Sequence, residues 1–289
     1  MPPFRPDRRL GFLIVTASTL AWSTAGLFIR LIDLDTASVL VWRGIFATMG
    51  LVAVLVATQG LQGLKGFARL GRTGWLYTLI STAGMFLYIG ALTNTSIAHV
   101  SVIYAAVPFL AAGLGWAMLG ERPPASALLA SAAALAGAVV MVGFGHDGTL
   151  VGDLMAFGMT VGMALLIVIG RRSPDIPTLP AGALSGVIAA AVALPFAGTL
   201  HPTGEQIALL AAFGLVNSAI GFSLFLIGSR HLPPVETALL GALEAPVAPL
   251  WVWLMFDETP APATLIGGGI VMAAVIFHIL RENAARPPA

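Results

Sequence analysis

Residues 116–128 read Trp-Ala-Met-Leu-Gly-Glu-Arg-Pro-Pro-Ala-Ser-Ala-Leu, and residues 253–265 read Trp-Leu-Met-Phe-Asp-Glu-Thr-Pro-Ala-Pro-Ala-Thr-Leu. A shift of 137 residues lays one over the other, Trp116 on Trp253 and Gly120-Glu121 on Asp257-Glu258. The same shift carries Gly84 onto Gly221, and nearer the start an offset of 141 pairs Gly11 with Gly152 and Arg30 with Arg171. Low-complexity apolar sequence produces single matches by chance, but matches in collinear order indicate an internal repeat. Each copy of the motif is a polar turn between two long apolar runs, so the fold follows from what those runs are.

A helix rises 1.5 Å per residue and needs about 20 predominantly apolar residues to cross the hydrocarbon layer. Ten runs qualify: 10–32, 37–58, 74–94, 98–119, 125–144, 150–170, 179–199, 205–229, 234–255 and 261–280. The breaks between them hold turn residues such as Asp33-Leu34-Asp35, Gly120 to Pro124, His201-Pro202 and Leu232-Pro233-Pro234. Strands of a membrane barrel would alternate polar and apolar residues, and these runs do not. Composition agrees: 58% of residues are hydrophobic, 9% charged, and the mean hydropathy is +0.94, against about 25% charged residues in soluble domains. The expected fold is an all-α membrane protein of ten transmembrane helices. The repeats are 1–144 (runs 1 to 5) and 145–289 (runs 6 to 10). Five runs per repeat is an odd number, so the second half must be threaded upside down relative to the first. Inverted repeats around a shared polar cavity are a common construction of carriers that work by alternating access.

The apolar run after the basic N-terminus is longer than the ~7–15 residues of a signal-peptide core, so it reads as a retained first span. With the N-terminus in the cytoplasm, twelve of the fourteen Lys and Arg fall inside, only Arg30 falls outside, and Arg43 lies within a span. The positive-inside rule selects this orientation, with both termini cytoplasmic. The net charge of +1 supplies no basic field for nucleic acid. Zero cysteines exclude disulfides, thiolate nucleophiles and Cys-ligated metal. Gly158-x-x-x-Gly162, Gly182-x-x-x-Gly186 and glycines 267, 268 and 269 are expected to let helices approach closely.

Intramembrane ionisable groups are costly and mark cavities or partners. Glu244 lies near the middle of run 9. It is either a proton-coupling carboxylate, a binder of a substrate ammonium, or a group held by helix-packing hydrogen bonds. Arg43, in run 2, could receive a substrate carboxylate through its bidentate donors, or snorkel outward or pair with Asp33 or Asp35. Glu236, at the inner end of run 9, reads as interfacial. Pro108 in run 4 and Pro246 in run 9 each kink a helix. They lie one residue apart under the 137 shift, and paired breaks in two repeats point to a transport site, or else to packing alone. Trp22, Ser23, Tyr77, Tyr88, Asn94, His99, Tyr104, Asn217, Ser218 and Phe222 complete the candidate lining. Trp22 and the Asn217–Ser218 pair, near mid-membrane, should face the bundle interior. Tyr88, Asn94 and His99 fit an outer aromatic belt equally well, and Trp251 and Trp253 read as belt residues.

Enzymatic readings find little support. His-Glu-x-x-His and Gly-x-Ser-x-Gly are absent, and so is a P-loop for ATP-driven pumping. No run carries the continuous polar stripe a channel pore requires. Neither cofactor nor metal is called for. The expected partners are a small-molecule substrate and the lipid bilayer, with a monomer as the simplest assembly.

Several motifs carry a family resemblance. Ala21-Trp22-Ser23 in run 1, Trp42-Arg43-Gly44 in run 2 and Leu119-Gly120-Glu121-Arg122-Pro123 closing run 4 are similar to motifs of EamA-type members of the drug/metabolite transporter superfamily. So are Leu243-Glu244-Ala245-Pro246 and Phe256-Asp257-Glu258-Thr259-Pro260 in the second half. The resemblance covers about 10–280. It implies two inverted five-helix repeats, a central cavity, and export from the cytoplasm across a bacterial inner membrane. Within the superfamily the chain most resembles YddG-type exporters of aromatic amino acids, with other neutral amino acids, drug-like cations and other metabolites as alternatives. A nucleotide sugar would need several inward-facing basic residues, and only Arg43 is available. One departure is Asp257-Glu258 where Gly-Glu is usual, which questions any turn geometry requiring glycine there.

Overall fold

In the computed structural model, residues 7–95, 97–142, 149–257 and 259–284 are described, and the ordered elements among them are helical. The helices are α1 (Arg8–Ser23), α2 (Ala25–Ile32), α3 (Thr36–Gln59), α4 (Gly71–Asn94), α5 (Ile97–Tyr104), α6 (Val107–Leu119), α7 (Ala125–Val142), α8 (Leu150–Arg172), α9 (Thr178–Ala193), α10 (Gly204–Phe213), α11 (Phe222–Gly228), α12 (Pro234–Gly241), α13 (Glu244–Phe256) and α14 (Pro262–Ala284). A π-helix, Gly214–Gly221, joins α10 to α11. Eight stretches among the described residues are long and apolar enough to cross a membrane, and Ala125–Met141 is a shorter apolar helix. Run 3 is helical from Gly71 to Asn94.

Helix starts follow local chemistry. Asp7, Asp35, Thr149 and Thr203 each accept a backbone N–H with a side-chain oxygen at the start of α1, α3, α8 and α10, which satisfies donors that a helix leaves open. The ends of α6 and α13 are equivalent under the 137 shift. Both close in the left-handed region, Gly120 with φ 71° and Asp257 with φ 53°. The turn geometry therefore survives the loss of glycine, because aspartate is among the few residues that tolerate this conformation. Glu258 lies outside the described residues.

Runs 4 and 9 are broken at equivalent places. α5 gives way to α6 at Ala105-Ala106, and α12 to α13 at Ala242-Leu243. Ala106 N–H donates to Ile103 O and Leu243 N–H to Leu240 O, both at 3.1 Å, and Leu110 to Ala106 O is matched by Val247 to Leu243 O. Pro108 and Pro246 stand in the first turn after each break. There a missing N–H costs nothing, while the ring obstructs the turn before it. The paired kinks expected at these prolines are thus paired breaks two to three residues upstream.

The helix pairings keep their pattern when runs 1 to 5 are exchanged with runs 6 to 10. α3 packs on α9 and α7 on α14; α4 on α8 is matched by α1 on α11; α6 on α8 by α12 on α1; α4 on α9 by α3 on the π-helix. Glycines allow the two self-matched crossings. A Cβ on Gly44 would stand 2.8 Å from Gly186 O, and one on Gly267 would stand 2.3 Å from Gly137 O. Gly182, also expected at a contact, lies against the Phe222 ring. Asp7 N–H, just before α1, donates to His231 Nδ1 at 2.9 Å, while Arg171, at the end of α8, donates to Arg230 O at 3.0 Å. Run 1 therefore starts where run 6 finishes, at what we call the basic end.

Candidate functional site

Run 1 breaks at Thr24, one residue after the Trp22-Ser23 pair. The sequence explains the break: Ser23 Oγ donates to Leu20 O at 2.7 Å and Thr24 Oγ1 to Ala21 O at 2.6 Å, hydroxyls competing for carbonyls that the helix would use. Facing this break is the π-helix. Such wide turns are rare and frequently mark functional positions. The two irregular segments clamp each other: Trp22 Nε1–H donates to Asn217 O at 3.0 Å, and Asn217 Nδ2 donates to Trp22 O at 3.1 Å and Ala21 O at 3.4 Å. Asn217 is 5% exposed, so its amide faces the interior as expected.

Arg43 joins the same amide. Its Nη2 donates to Asn217 Oδ1 at 3.5 Å, its guanidinium lies 4.9 Å from the centre of the Phe213 ring, and its Nε is buried without a hydrogen-bond partner. It pairs with neither Asp33 nor Asp35. Asp35 instead accepts from Ser38 and from Gly198 N–H at the start of α3. Slight burial works against ionisation there, but these bonds win and hold the Asp35 carboxyl below its ordinary range.

The second half of the site stands at the paired breaks. Tyr104 is the last residue of α5 and Glu244 the first of α13. Glu244 acts electrostatically on the phenols of both Tyr104 and Tyr88, and Arg43 acts on Tyr88. Both phenols pack against the same cluster of Ala91, Val100, Ala156 and Met159, within electrostatic range of Glu244. Ser218 Oγ, on the π-helix, is buried without a hydrogen-bond partner.

Other expected residues are placed differently. Phe222 packs on the core cluster that includes Leu166, Ala181 and Phe225, beside Gly182. Tyr77 is 1% exposed within that same core. Asn94 is exposed and donates to Gly90 O, and the side chain of His99 lies outside the described residues. Trp251 is not a belt residue: its Nε1–H donates to Ser23 Oγ at 2.8 Å, closing the run 1 break from α13. Nothing in local sequence distinguishes Trp251 from Trp253, which is 43% exposed. Glu236 is not interfacial either, being 1% exposed beside Arg8 and His278. Among the described residues no group of three or more His, Cys, Asp or Glu is placed to hold a metal.

Three comparisons bear on this arrangement. The profile of the EamA-like transporter family matches twice, over residues 9–143 and 150–280. An S-adenosylmethionine uptake transporter of Rickettsia felis (strain ATCC VR-1525 / URRWXCal2) is 33% identical over 103 residues, 35% of this chain and 35% of that protein. The match spans about a third of the relative's length. A protein of known crystal structure superposes with a TM-score of 0.84 over 96% of this chain and 100% of its own, at 20% identity, a likeness of fold.

Proposed function

The chain belongs to the EamA-like transporter family, and from that premise we propose that it carries α-amino acids across the membrane by alternating access, aromatic and other neutral ones first. Families of this kind move small molecules, and the chain is a multi-pass membrane protein. The finer reading rests on one observation: Arg43 and Glu244, of opposite charge, both act on the Tyr88 phenol. A free α-amino acid carries a carboxylate and an ammonium on one carbon. The guanidinium offers paired donors to the first, and Glu244, with Tyr104 beside it, receives the second. Trp22, Tyr88 and Tyr104 supply flat apolar faces for a ring.

In this proposal Gly71–Asn94 and Ala125–Val142 are spans with the other eight, making ten. Residues 1–144 and 145–289 are inverted repeats enclosing a central site, and Ser23, Asn217 and Ser218 shape it around the charged pair. We put the basic end in the cytoplasm of a bacterial inner membrane, a reading the positive-inside count supports, and take transport to run outward from it. S-adenosylmethionine is the second reading, favoured by the Rickettsia felis relative. It shares the α-amino-acid head and adds a flat base and a cationic sulfonium.

The test is a panel of labelled amino acids, S-adenosylmethionine and lipophilic cations in proteoliposomes, scored by saturation and counterflow. The proposal expects aromatic amino acids to be carried, with Arg43→Gln and Glu244→Gln impaired yet folded. Transport of cations alone, or undiminished transport by both variants, overturns it.

A further inference from the structure

Away from the candidate site, a cleft of about 320 Å³ opens at the basic end between runs 4, 6 and 9. Three apolar stretches of spanning length meet there: Val102–Leu119 and Leu150–Arg172 finish beside it, and Pro234–Phe256 begins beside it. Its mouth therefore lies where hydrocarbon gives way to lipid headgroups. The mouth is polar and the floor is not. Glu121 and Arg122, in the turn after α6, line the mouth with Arg171 of α8, while Ala111 and Gly115 of α6 line the floor with Pro234. Ala111 precedes Leu119, the end of α6, by eight residues, so the apolar floor reaches about 12 Å inward.

The charges at the mouth do not cancel. Arg171 Nε donates to Glu121 Oε1 at 3.2 Å and Arg171 Nη1 to Arg230 O at 3.0 Å. A guanidinium has five N–H donors, so three of them stay uncommitted. Arg122 is exposed and makes neither an ion pair nor a hydrogen bond among the described residues. Among those residues no acid but Glu121 lines the cleft, so two arginines and one glutamate leave one excess positive charge. The start of α12 adds to it. Pro234 is its first residue, no side chain caps it, and a helix start carries partial positive charge. Glu236, in that same turn, is committed to Arg8.

We propose that this cleft binds an anionic phospholipid, with the phosphate between Arg122 and Arg171 and the glycerol and first chain carbons on Ala111, Gly115 and Pro234. An arginine fork matches phosphate oxygens, and basic pockets between spans select anionic headgroups. The excess charge accounts for the preference: a zwitterionic lipid brings its own cation to the mouth, whereas an anionic one does not. A free phosphate shares the anionic chemistry and would meet the same arginines, but it has nothing to lay on the apolar floor. Trp116, beside Gly115 and 59% exposed, sets an indole at the same level, where such rings settle among headgroups. The bound phosphate joins the turn after run 4 to the end of run 6, alongside the Arg171–Glu121 pair.

Arg43 and Glu244 take no part in this site, so its test is independent of the substrate reading. The test is native mass spectrometry of the full chain in detergent, titrated with phosphatidylglycerol or phosphatidylcholine. The first phosphatidylglycerol should bind more tightly than the first phosphatidylcholine. Arg122→Gln changes an exposed side chain with no partner to lose, so the protein should stay folded. It should weaken phosphatidylglycerol about fivefold, the effect of one basic residue at an anionic surface, and leave phosphatidylcholine unchanged. Arg69→Gln removes the same charge from an exposed position in the short helix Leu61–Arg69, outside the cleft, and should change neither lipid. Inorganic phosphate at the lipid's concentration should not displace phosphatidylglycerol. Equal affinity for the two lipids, an Arg122→Gln protein that binds phosphatidylglycerol as well as Arg69→Gln does, or displacement by inorganic phosphate each overturns the proposal.

Discussion

Asn217→Ala is the most informative single change in the candidate site. The Asn217 amide donates to Trp22 O at 3.1 Å and Ala21 O at 3.4 Å, and accepts from Arg43 at 3.5 Å. Alanine removes all three bonds, taking the Asn217 donor from Trp22 O and leaving Ala21 O to its Thr24 partners. A net hydrogen bond contributes about 0.5–1.5 kcal/mol, and two of these three are long. The total is about 2 kcal/mol, or roughly 30-fold in an equilibrium that depends on it. Arg43 would keep only the Phe213 ring, so the cost should appear in transport as well as in stability. Asn217→Asp separates the two roles: it preserves the acceptor for Arg43 and abolishes both donors to run 1. The expected order of kcat/KM for amino acid counterflow in proteoliposomes is parent, then Asp, then Ala, with the Ala protein also melting lower in detergent. An Ala protein that transports and melts like the parent refutes the reasoning, because the amide would then hold neither Arg43 nor the run 1 break.

Further outcomes follow from the same contacts. Asp257→Gly should stabilise by up to about 1 kcal/mol and raise the melting temperature by a few degrees, since glycine relieves a left-handed φ of 53°. Gly267→Ala should destabilise by about 1–3 kcal/mol, because its Cβ would meet Gly137 O and Met141 N, backbone atoms that cannot swing aside, as well as Met141 Cγ; the same melting assay reads it. Asp35 has a lowered folded-state pKa, so its stabilising bonds are fully present above the ordinary carboxylate range, about pH 4, and fade as pH falls through the lowered value. Asp35→Asn, with one acceptor oxygen in place of two, should lower the melting temperature at pH 7 and approach the parent below about pH 4, which flattens the acid limb. Ser23→Ala should reduce transport by freeing the Trp251 indole, detectable as a shift in tryptophan fluorescence.

The apolar runs, the repeat and the turn at Gly120 were legible because each is a property of residue type at fixed spacing. Lipid demands about twenty apolar residues per crossing, and a turn between crossings demands punctuation. The two proline-marked breaks were legible for the same reason, although their position shows only in the backbone, where the obstructed turn lies upstream of the ring. The π-helix was hidden, since nothing in Gly214–Gly221 forbids an ordinary α-turn and the clamp to Trp22 that accompanies it is tertiary. Trp251 was misread as a belt residue because an indole looks the same in sequence whether its N–H meets interfacial water or Ser23. Glu236 was misread because Arg8 and His278, its partners, are 228 and 42 residues away along the chain. A buried charge can be recognised only once its counter-charges are placed.

The reading of Arg43 and Glu244 as opposite poles for one zwitterion is tested most directly by counterflow with three forms of a single aromatic amino acid: the free acid, its N-acetyl derivative and its methyl ester. The account predicts saturable counterflow for the free acid and a large loss for each derivative, since each removes one of the two charges. Equal counterflow for all three forms would contradict it.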